Sequence, residues 1–301
     1  MYRILILGLM LAIVPTPAGR AEKGGTPDTP ASRPMRVMSM NQCADQIVLA
    51  LLPPERIASV TWLSRNPDGS LLHRAAMRVG VNHGLSEEVV RQKPDLVVTG
   101  TYSTPVTRAL LRRLNYPMIE VPHADSFAQI RAITRQVAAA VGEEARGEAL
   151  IARMDRQLAM LARDPGPRLR VAAWDGAGFN AREGSLYDAV LNAAGAMNVA
   201  NRPPASGYGR PDVEVLLAAA PTLLVKGAGA GRRAPGLSEN VELHRLVRRY
   251  WDGDRTLTIA QSYYMCGTPF VADAALRLRA ELRAAAARVK TPLPFAPARD
   301  L

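Results

Sequence analysis

Histidine, cysteine and aromatic side chains are scarce in this sequence, and beyond its N-terminal region so are long apolar runs. The four histidines (His73, His83, His123 and His244) show no close ligand spacing, and the two cysteines form no Cys-x-x-Cys pair. There is no His-Glu-x-x-His segment, and Ser185 sits in Gly184-Ser185-Leu186, outside any Gly-x-Ser-x-Gly elbow. Gly227 to Gly231 is glycine-rich but lacks the downstream Lys-Ser/Thr of a phosphate-cradling loop, and reads as a flexible rim. These absences argue against an enzyme. Aromatics make up only 5% of residues and do not interleave with the basic ones, so the net charge of +11 does not read as a nucleic-acid surface. The arginines are scattered along helical segments (Arg108, Arg112, Arg113, Arg146, Arg153, Arg156) and are expected on solvated faces.

The N-terminal region reads as an export signal. Arg3 supplies a positive start, Ile4 to Val14 is an uncharged apolar run, and small residues follow at Ala18 and Ala21. The run is shorter than the roughly 20 residues that span a bilayer, so cleavage after Ala18 or Ala21 is expected rather than anchoring. No cysteine stands just after either position, which argues against a lipid anchor. Residues 1–21 are thus read as a signal peptide and 22–35, rich in Gly, Pro, Ser and Thr, as a loose leader. A soluble periplasmic protein is the expectation.

Strand and helix signals then alternate. Strands are expected at Arg36 to Met40, Ile57 to Thr61, Asp95 to Thr99 and Pro117 to Val121, with helices at Asp45 to Leu52, Ser86 to Gln92 and Arg108 to Leu114. Near-continuous apolar strands between helices predict a parallel sheet covered on both faces. Ser126 followed by Gln129 reads as a capping box, opening a helix with Phe127, Ile130, Ile133 and Val137 on one face. A second helix from Glu143 to Ala162 carries Leu150, Met154, Leu158 and Leu161 on one stripe and would span about 30 Å. It ends at Asp164-Pro165-Gly166-Pro167, after which the alternation resumes. Strands follow at Leu169 to Ala173, Thr222 to Lys226 and Thr256 to Ile259, and helices at Ser185 to Ala194 and Val271 to Val289. The proline-rich tail is expected to fray.

A weak internal repeat links the two halves. Glu87 opens an apolar helix reaching Pro94 and then Leu96-Val97-Val98-Thr99-Gly100. Glu214 opens another reaching Pro221 and then Leu223-Leu224-Val225-Lys226-Gly227. One unit precedes the long helix and one follows it, which implies two similar lobes facing across a cleft.

Several segments together resemble a known family. They are Ser39, Asn41 and Asp45 around the first strand and helix, the Glu87 to Val98 stretch with Lys93-Pro94-Asp95-Leu96-Val97, Gly195-Ala196-Met197-Asn198-Val199-Ala200, and Cys266-Gly267-Thr268-Pro269. The chain is similar over Arg36 to Val289 to the periplasmic binding proteins of ABC importers for cobalamin and ferric siderophores, whose lobes are joined by one rigid helix. The resemblance implies an α/β fold of two lobes with mainly parallel sheets and the ligand cleft between them. The lobes would be 36–124 and 165–289, with connecting helices at 125–164 and a tail at 290–301. It further implies a monomer with no intrinsic cofactor and no chemistry of its own. Such a protein would capture a metal chelate or corrinoid (ferric siderophore, cobalamin or haem) and deliver it to an ABC permease. In relatives a glutamate on each lobe docks onto permease arginines, and the matching residues are Glu87 and Glu214; each is also an ordinary helix-start carboxylate. The alternatives are a bare zinc or manganese carrier, to which His83 and His123 would contribute, and an exported enzyme on the same scaffold.

Open parallel sheets bind ligands at the carboxyl ends of their strands. The candidate contacts there are Asn41, Gln42, Trp62, Arg65, Tyr102 and His123 in the first lobe. In the second they are Trp174, Tyr208, Arg210, Lys226, Tyr263 and Tyr264. Tryptophan and tyrosine at these positions suit a large, partly flat ligand, and the cations suit an anionic chelate. Cys43 and Cys266 both follow strands, and an oxidising compartment permits a disulfide between them. Two buried thiols or a soft metal contact are the other possibilities.

Overall fold

The computed structural model describes residues 33–175, 178–179, 181–207, 212–228 and 243–296. The expected export signal and nearly all of the leader lie outside them. No helix among the described residues is long and apolar enough to cross a membrane.

The first lobe is a parallel five-stranded sheet. Its elements are β1 (Val37–Ser39), α1 (Gln42–Leu51), β2 (Ile57–Thr61), α2 (His73–Ala76), β3 (Val81–Asn82), α3 (Ser86–Gln92), β4 (Leu96–Gly100), α4 (Pro105–Arg113) and β5 (Met118–Val121). The strand order is β3-β2-β1-β4-β5, and every neighbouring pair is parallel. β1 and β4 are buried along their whole length, as expected of apolar strands covered on both faces. Asn41 caps α1 by accepting from the backbone N–H groups of Cys43 and Ala44 at 3.1 and 3.0 Å.

Two antiparallel helices carry the chain onward: α5 (Phe127–Val141) and α6 (Glu144–Arg163), the latter of 20 residues. Ser126 caps α5 through the N–H of Gln129. The Gln129 side chain returns to the N–H of Asp125, not of Ser126, so the expected capping box closes one residue earlier. Gly142 ends α5 with φ +67°, a left-handed position that suits glycine. Ion pairs Arg131–Asp155 and Arg135–Glu148 tie the two helices.

The second lobe contains β6 (Arg170–Asp175), β7 (Gly178–Phe179), α7 (Leu186–Ala193), β8 (Met197–Asn198), α8 (Val213–Ala219), β9 (Leu223–Ala228), α9 (Arg245–Trp251), β10 (Thr256–Ala260) and α10 (Val271–Arg288). Its order among the described residues is β10-β9-β6-β7, with β8 also on β6; there the β6–β7 pair is antiparallel and the others are parallel. A single apolar cluster runs from β1 and α1 through α5 and α6 to Leu186, Val190 and Val271–Ala275. The connecting helices are therefore part of the core, and Arg153 of α6 pairs with Asp273 of α10 at 2.7 Å. Arg279, also buried, donates to the carbonyls of Leu161, Asp164, Ala193 and Ala194, closing the last turns of α6 and α7.

Two expectations need correction. Arg108 is buried, not solvated, because it and Arg112 converge on the carboxylate of Glu120. The chain beyond α10 does not simply fray: Leu293 is buried and Phe295 packs against Tyr250 and Trp251. A pair of apolar side chains between prolines is enough to dock that stretch.

Candidate functional site

In lobe 1 the strand order reverses direction between β1 and β4, so the crevice outside their carboxyl ends is where this topology accepts a ligand. A small pocket of about 130 Å³ lies there, walled by Asn41, Cys43, Gly100, Tyr102, His123 and Gly267. Gly267 comes from the second lobe, and a Cβ on it would sit 2.5 Å from the carbonyl oxygen of Ala124. That approach holds the lobes together at one side of the crevice. Beside it, Cys43 at the start of α1 and Cys266 ahead of α10 are joined by a disulfide, with sulfurs 2.12 Å and Cα atoms 5.0 Å apart.

The structure sorts the candidate residues into three groups. Tyr102 is 88% exposed at the end of β4 and Trp62 is 53% exposed just after β2. His123, after β5, is also exposed, with Nε2 3.0 Å from Asp125 Oδ1. These three stand on open surface at the carboxyl edge of the first sheet.

A second group braces the loops. The Asn41 side chain is used as a helix cap, and Gln42 donates to the carbonyl of Gly69 at 2.9 Å. Arg65 donates to the carbonyls of Ala76 and Val79 at 3.3 and 2.8 Å, so its guanidinium ties two loops together. Tyr264 stacks on Tyr187 with centroids 4.1 Å apart, and its hydroxyl lies over Gly227, where a Cβ would come within 2.2 Å. Tyr263 carries the Arg277 guanidinium 4.9 Å from its ring centre. Lys226 is half-buried on β9, in register with Thr258 of β10.

The remaining candidates are Trp174, Tyr208 and Arg210. Trp174 is fully buried, packed with Val199, Ala205, Leu216, Leu224 and Trp251, and is a core residue where a ligand contact was expected. The reason is that β6 runs to Asp175, two residues further than read, so Trp174 is an interior strand position in a sheet covered on both faces. Tyr208 and Arg210 lie outside the described residues, as does most of the glycine-rich rim.

Sequence reasoning missed how His83 is held. Its ring follows β3, its Nδ1 is 3.2 Å from Glu88 Oε1, and its ring centre is 6.4 Å from that of Trp62. The only available signal was a histidine and a glutamate five residues apart at a strand end. Among the described residues no group of three or more His, Cys, Asp or Glu is placed to hold a metal ion.

A roomier pocket, about 720 Å³, lies elsewhere, between Phe127, Leu158 and Leu161 of the helix pair and Met197, Arg202 and Arg279 of the second lobe. It includes none of the candidate contacts. Arg279 there is committed to the carboxyl ends of α6 and α7. We place the candidate site at the strand ends, where the sheet topology opens a crevice and exposed aromatic rings stand along the same sheet edge.

With the fold in view, the sequence profile of the periplasmic binding protein family matches residues 37–247. The chain belongs to this family. Solved structures of other proteins share the fold at low identity. The periplasmic heme-binding protein of Roseiflexus sp. RS-1 is 21% identical, with a TM-score of 0.65 over 84% of this chain and 99% of that one. The vitamin B12-binding protein of Vibrio cholerae is 16% identical, with a TM-score of 0.60 over 84% and 98%. A protein of the ABC-type Fe3+-hydroxamate transport system of Saccharomonospora viridis is 17% identical, with a TM-score of 0.57 over 83% and 93%. No curated protein sequence matches the chain. Family membership and the two mainly parallel sheets agree with the fold class expected from the sequence.

Proposed function

We propose that this chain is the periplasmic substrate-binding component of an ABC importer. It captures a metal chelate or corrinoid between its lobes and hands it to the permease. In this reading residues 1–21 are removed on export, the mature protein works as a monomer, and it binds its cargo without transforming it. The observation that carries the reading is the crevice at the reversal of strand order in lobe 1, flanked by the exposed rings of Trp62 and Tyr102. Large exposed aromatics on a soluble protein mark a surface that receives something, and here that surface follows the sheet edge where this fold class binds ligands. The pocket of about 130 Å³ holds only a fragment of a macrocycle. The bulk of the ligand therefore rests on the open strand ends beside it, toward Trp62, His83 and Tyr102. Glu87 and Glu214, exposed at the second position of α3 and α8, are the proposed permease contacts.

The test is the absorbance spectrum and metal content of the mature protein purified from periplasm, followed by titration with cobalamin, ferric protoporphyrin and ferric siderophores. Saturable binding of one of them at micromolar or tighter affinity is expected. Absence of chromophore, of metal and of binding across the panel would withdraw the chelate assignment.

A further inference from the structure

Helices α3 and α4 lie side by side over one face of the first sheet. At their starts the Thr107 hydroxyl donates to the carbonyl of Gly84 at 2.8 Å, and at their ends the Tyr116 hydroxyl donates to the carbonyl of Pro94. Beneath them Val89 of α3 and Leu111 of α4 share an apolar cluster with Met38 and Val97 of the sheet. The inward side of α4 is Thr107, Arg108 and Leu111, all buried. Its outward side carries Val106, Leu110 and Leu114, which recur every fourth residue and so form one stripe, 82%, 39% and 59% exposed. On α3, Glu88 and Gln92 turn toward β3, where they meet the N–H of His83 and the carbonyl of Val81. That leaves Val90, 66% exposed, on the flank nearer α4, with Leu85, 53% exposed, at the head of the pair.

Side chains this exposed stand proud of the surface rather than lining a cleft. Together the five present on the order of 500 Å² to water, the size of patch that on a soluble protein receives a partner. Arg91, Lys93, Arg112 and Arg113 are exposed around them, and Glu87 is the one exposed acid of α3 and α4. Arg112 shares the Glu120 carboxylate with Arg108, so that triad keeps a net positive charge. The second lobe supplies the comparison: α8, built on the same plan as α3, exposes no large apolar side chain. The patch therefore does not follow from the repeated construction itself. A partner peptide would need a groove to lie in. A protruding apolar stripe bordered by cations is matched instead to a flat anionic surface with an apolar layer beneath it.

We propose that the α3–α4 surface docks on an anionic phospholipid bilayer. Val90, Val106, Leu110 and Leu114 seat at the boundary between headgroups and acyl chains, and Lys93 and Arg113 meet the phosphates. Docking is peripheral and reversible, with an apparent dissociation constant on the order of 0.1–1 mM lipid, the strength of a single weak membrane signal. The proposal does not depend on which ligand the crevice takes. Its consequence for transport rests on the importer reading above: a carrier held weakly on the membrane searches for its permease across a surface instead of through a volume.

The experiment is co-sedimentation of the mature protein with sucrose-loaded vesicles of phosphatidylcholine, with and without about a third phosphatidylglycerol. The wild type is expected to bind the anionic vesicles, to bind the neutral ones far less, and to be released at about 0.5 M salt. Val106→Ser with Leu114→Ser should weaken binding roughly tenfold or more. Lys93→Gln and Arg113→Gln should each weaken it about fivefold. Arg248→Gln, an exposed cation on α9 of the second lobe, should leave it unchanged. Equal losses for Arg248→Gln and Arg113→Gln would overturn the proposal, because the whole basic protein would then be adhering without a defined face. So would unchanged binding by the double serine variant, or no binding of the wild type to either vesicle. Analytical ultracentrifugation without lipid covers the remaining occupant: a wild-type dimer that the serine variant dissolves would assign the patch to a second copy and overturn the proposal as well. All the substituted side chains are exposed, and circular dichroism melting confirms that the variants fold. None of these outcomes bears on the chelate titrations, so the two readings fail separately.

Discussion

Asp45 shows how one buried residue sets up the edge that carries the candidate site. It is fully buried in the first turn of α1, and its Oδ2 accepts from the Thr61 N–H at 2.9 Å, the Thr61 hydroxyl at 2.5 Å and the Ser64 hydroxyl at 2.7 Å. These bonds fix the tight turn that presents Trp62. Burial dominates its titration and pushes its pKa from 3.8 up to about 6 despite the hydrogen bonds. The folded state therefore binds the proton more tightly than the unfolded chain. The stabilisation that this proton supplies is complete below about pH 4 and is lost as pH rises through about 6. A difference of about two pKa units corresponds to about 3 kcal/mol. Asp45→Asn keeps an acceptor for the same donors but cannot ionise. Its stability relative to wild type should rise by about that amount between pH 4 and pH 7 in urea unfolding. A difference that stays flat with pH would count against the assignment.

At the scale of elements, α3 with β4 and α8 with β9 repeat one construction. Each helix is seven residues long, carries its glutamate at the second position, and ends on a non-glycine left-handed residue, Lys93 (φ 48°) or Ala220 (φ 41°). A proline follows within one residue, and then an apolar strand buried in the sheet. The second-position glutamates are favoured by the helix dipole and remain exposed. An exposed ion pair contributes only about 0.2–1 kcal/mol, so the proposed role is to orient the permease on both lobes at once. Glu87→Ala with Glu214→Ala should leave ligand affinity in titration calorimetry unchanged and abolish uptake in whole cells. Normal uptake by the double variant would remove the docking role.

For the whole molecule, the lobes are held both by the helical core and by the Cys43–Cys266 bond, which closes a span of 223 residues. A cross-link over so long a span restricts the unfolded chain most, and its removal typically costs about 2–5 kcal/mol. Cys43→Ser with Cys266→Ser, or reduction of the wild type, should lower the denaturation midpoint accordingly. Reduction should have no further effect on the double variant. Two free thiols in the unfolded, unreduced wild type would show that the bond does not form.

The order of strands and helices, the two-lobed plan and the long connecting helix were legible in the sequence. They depend on local rules: apolar runs of strand length, a 3.6-residue stripe, and prolines and glycines that end helices. The repeat around Glu87 and Glu214 was legible for the same reason. Which candidate side chains stand exposed at the sheet edge was not. Trp174 and Trp62 look alike as tryptophans at strand ends, yet one is core and the other surface, because β6 continues past Trp174 to Asp175 while β2 stops at Thr61, just before Trp62. Arg65 and Arg108 look like free surface cations until the carbonyls and the carboxylate they meet are brought near by other elements. The pairing of His83 with Glu88, beside a tryptophan some twenty residues earlier, exists only because β2 and β3 are neighbours in the sheet. Short-range patterning of the chain thus determined the elements and their sequence, while contacts between residues distant in the chain, made only on packing, decided which side chains stand at the candidate site.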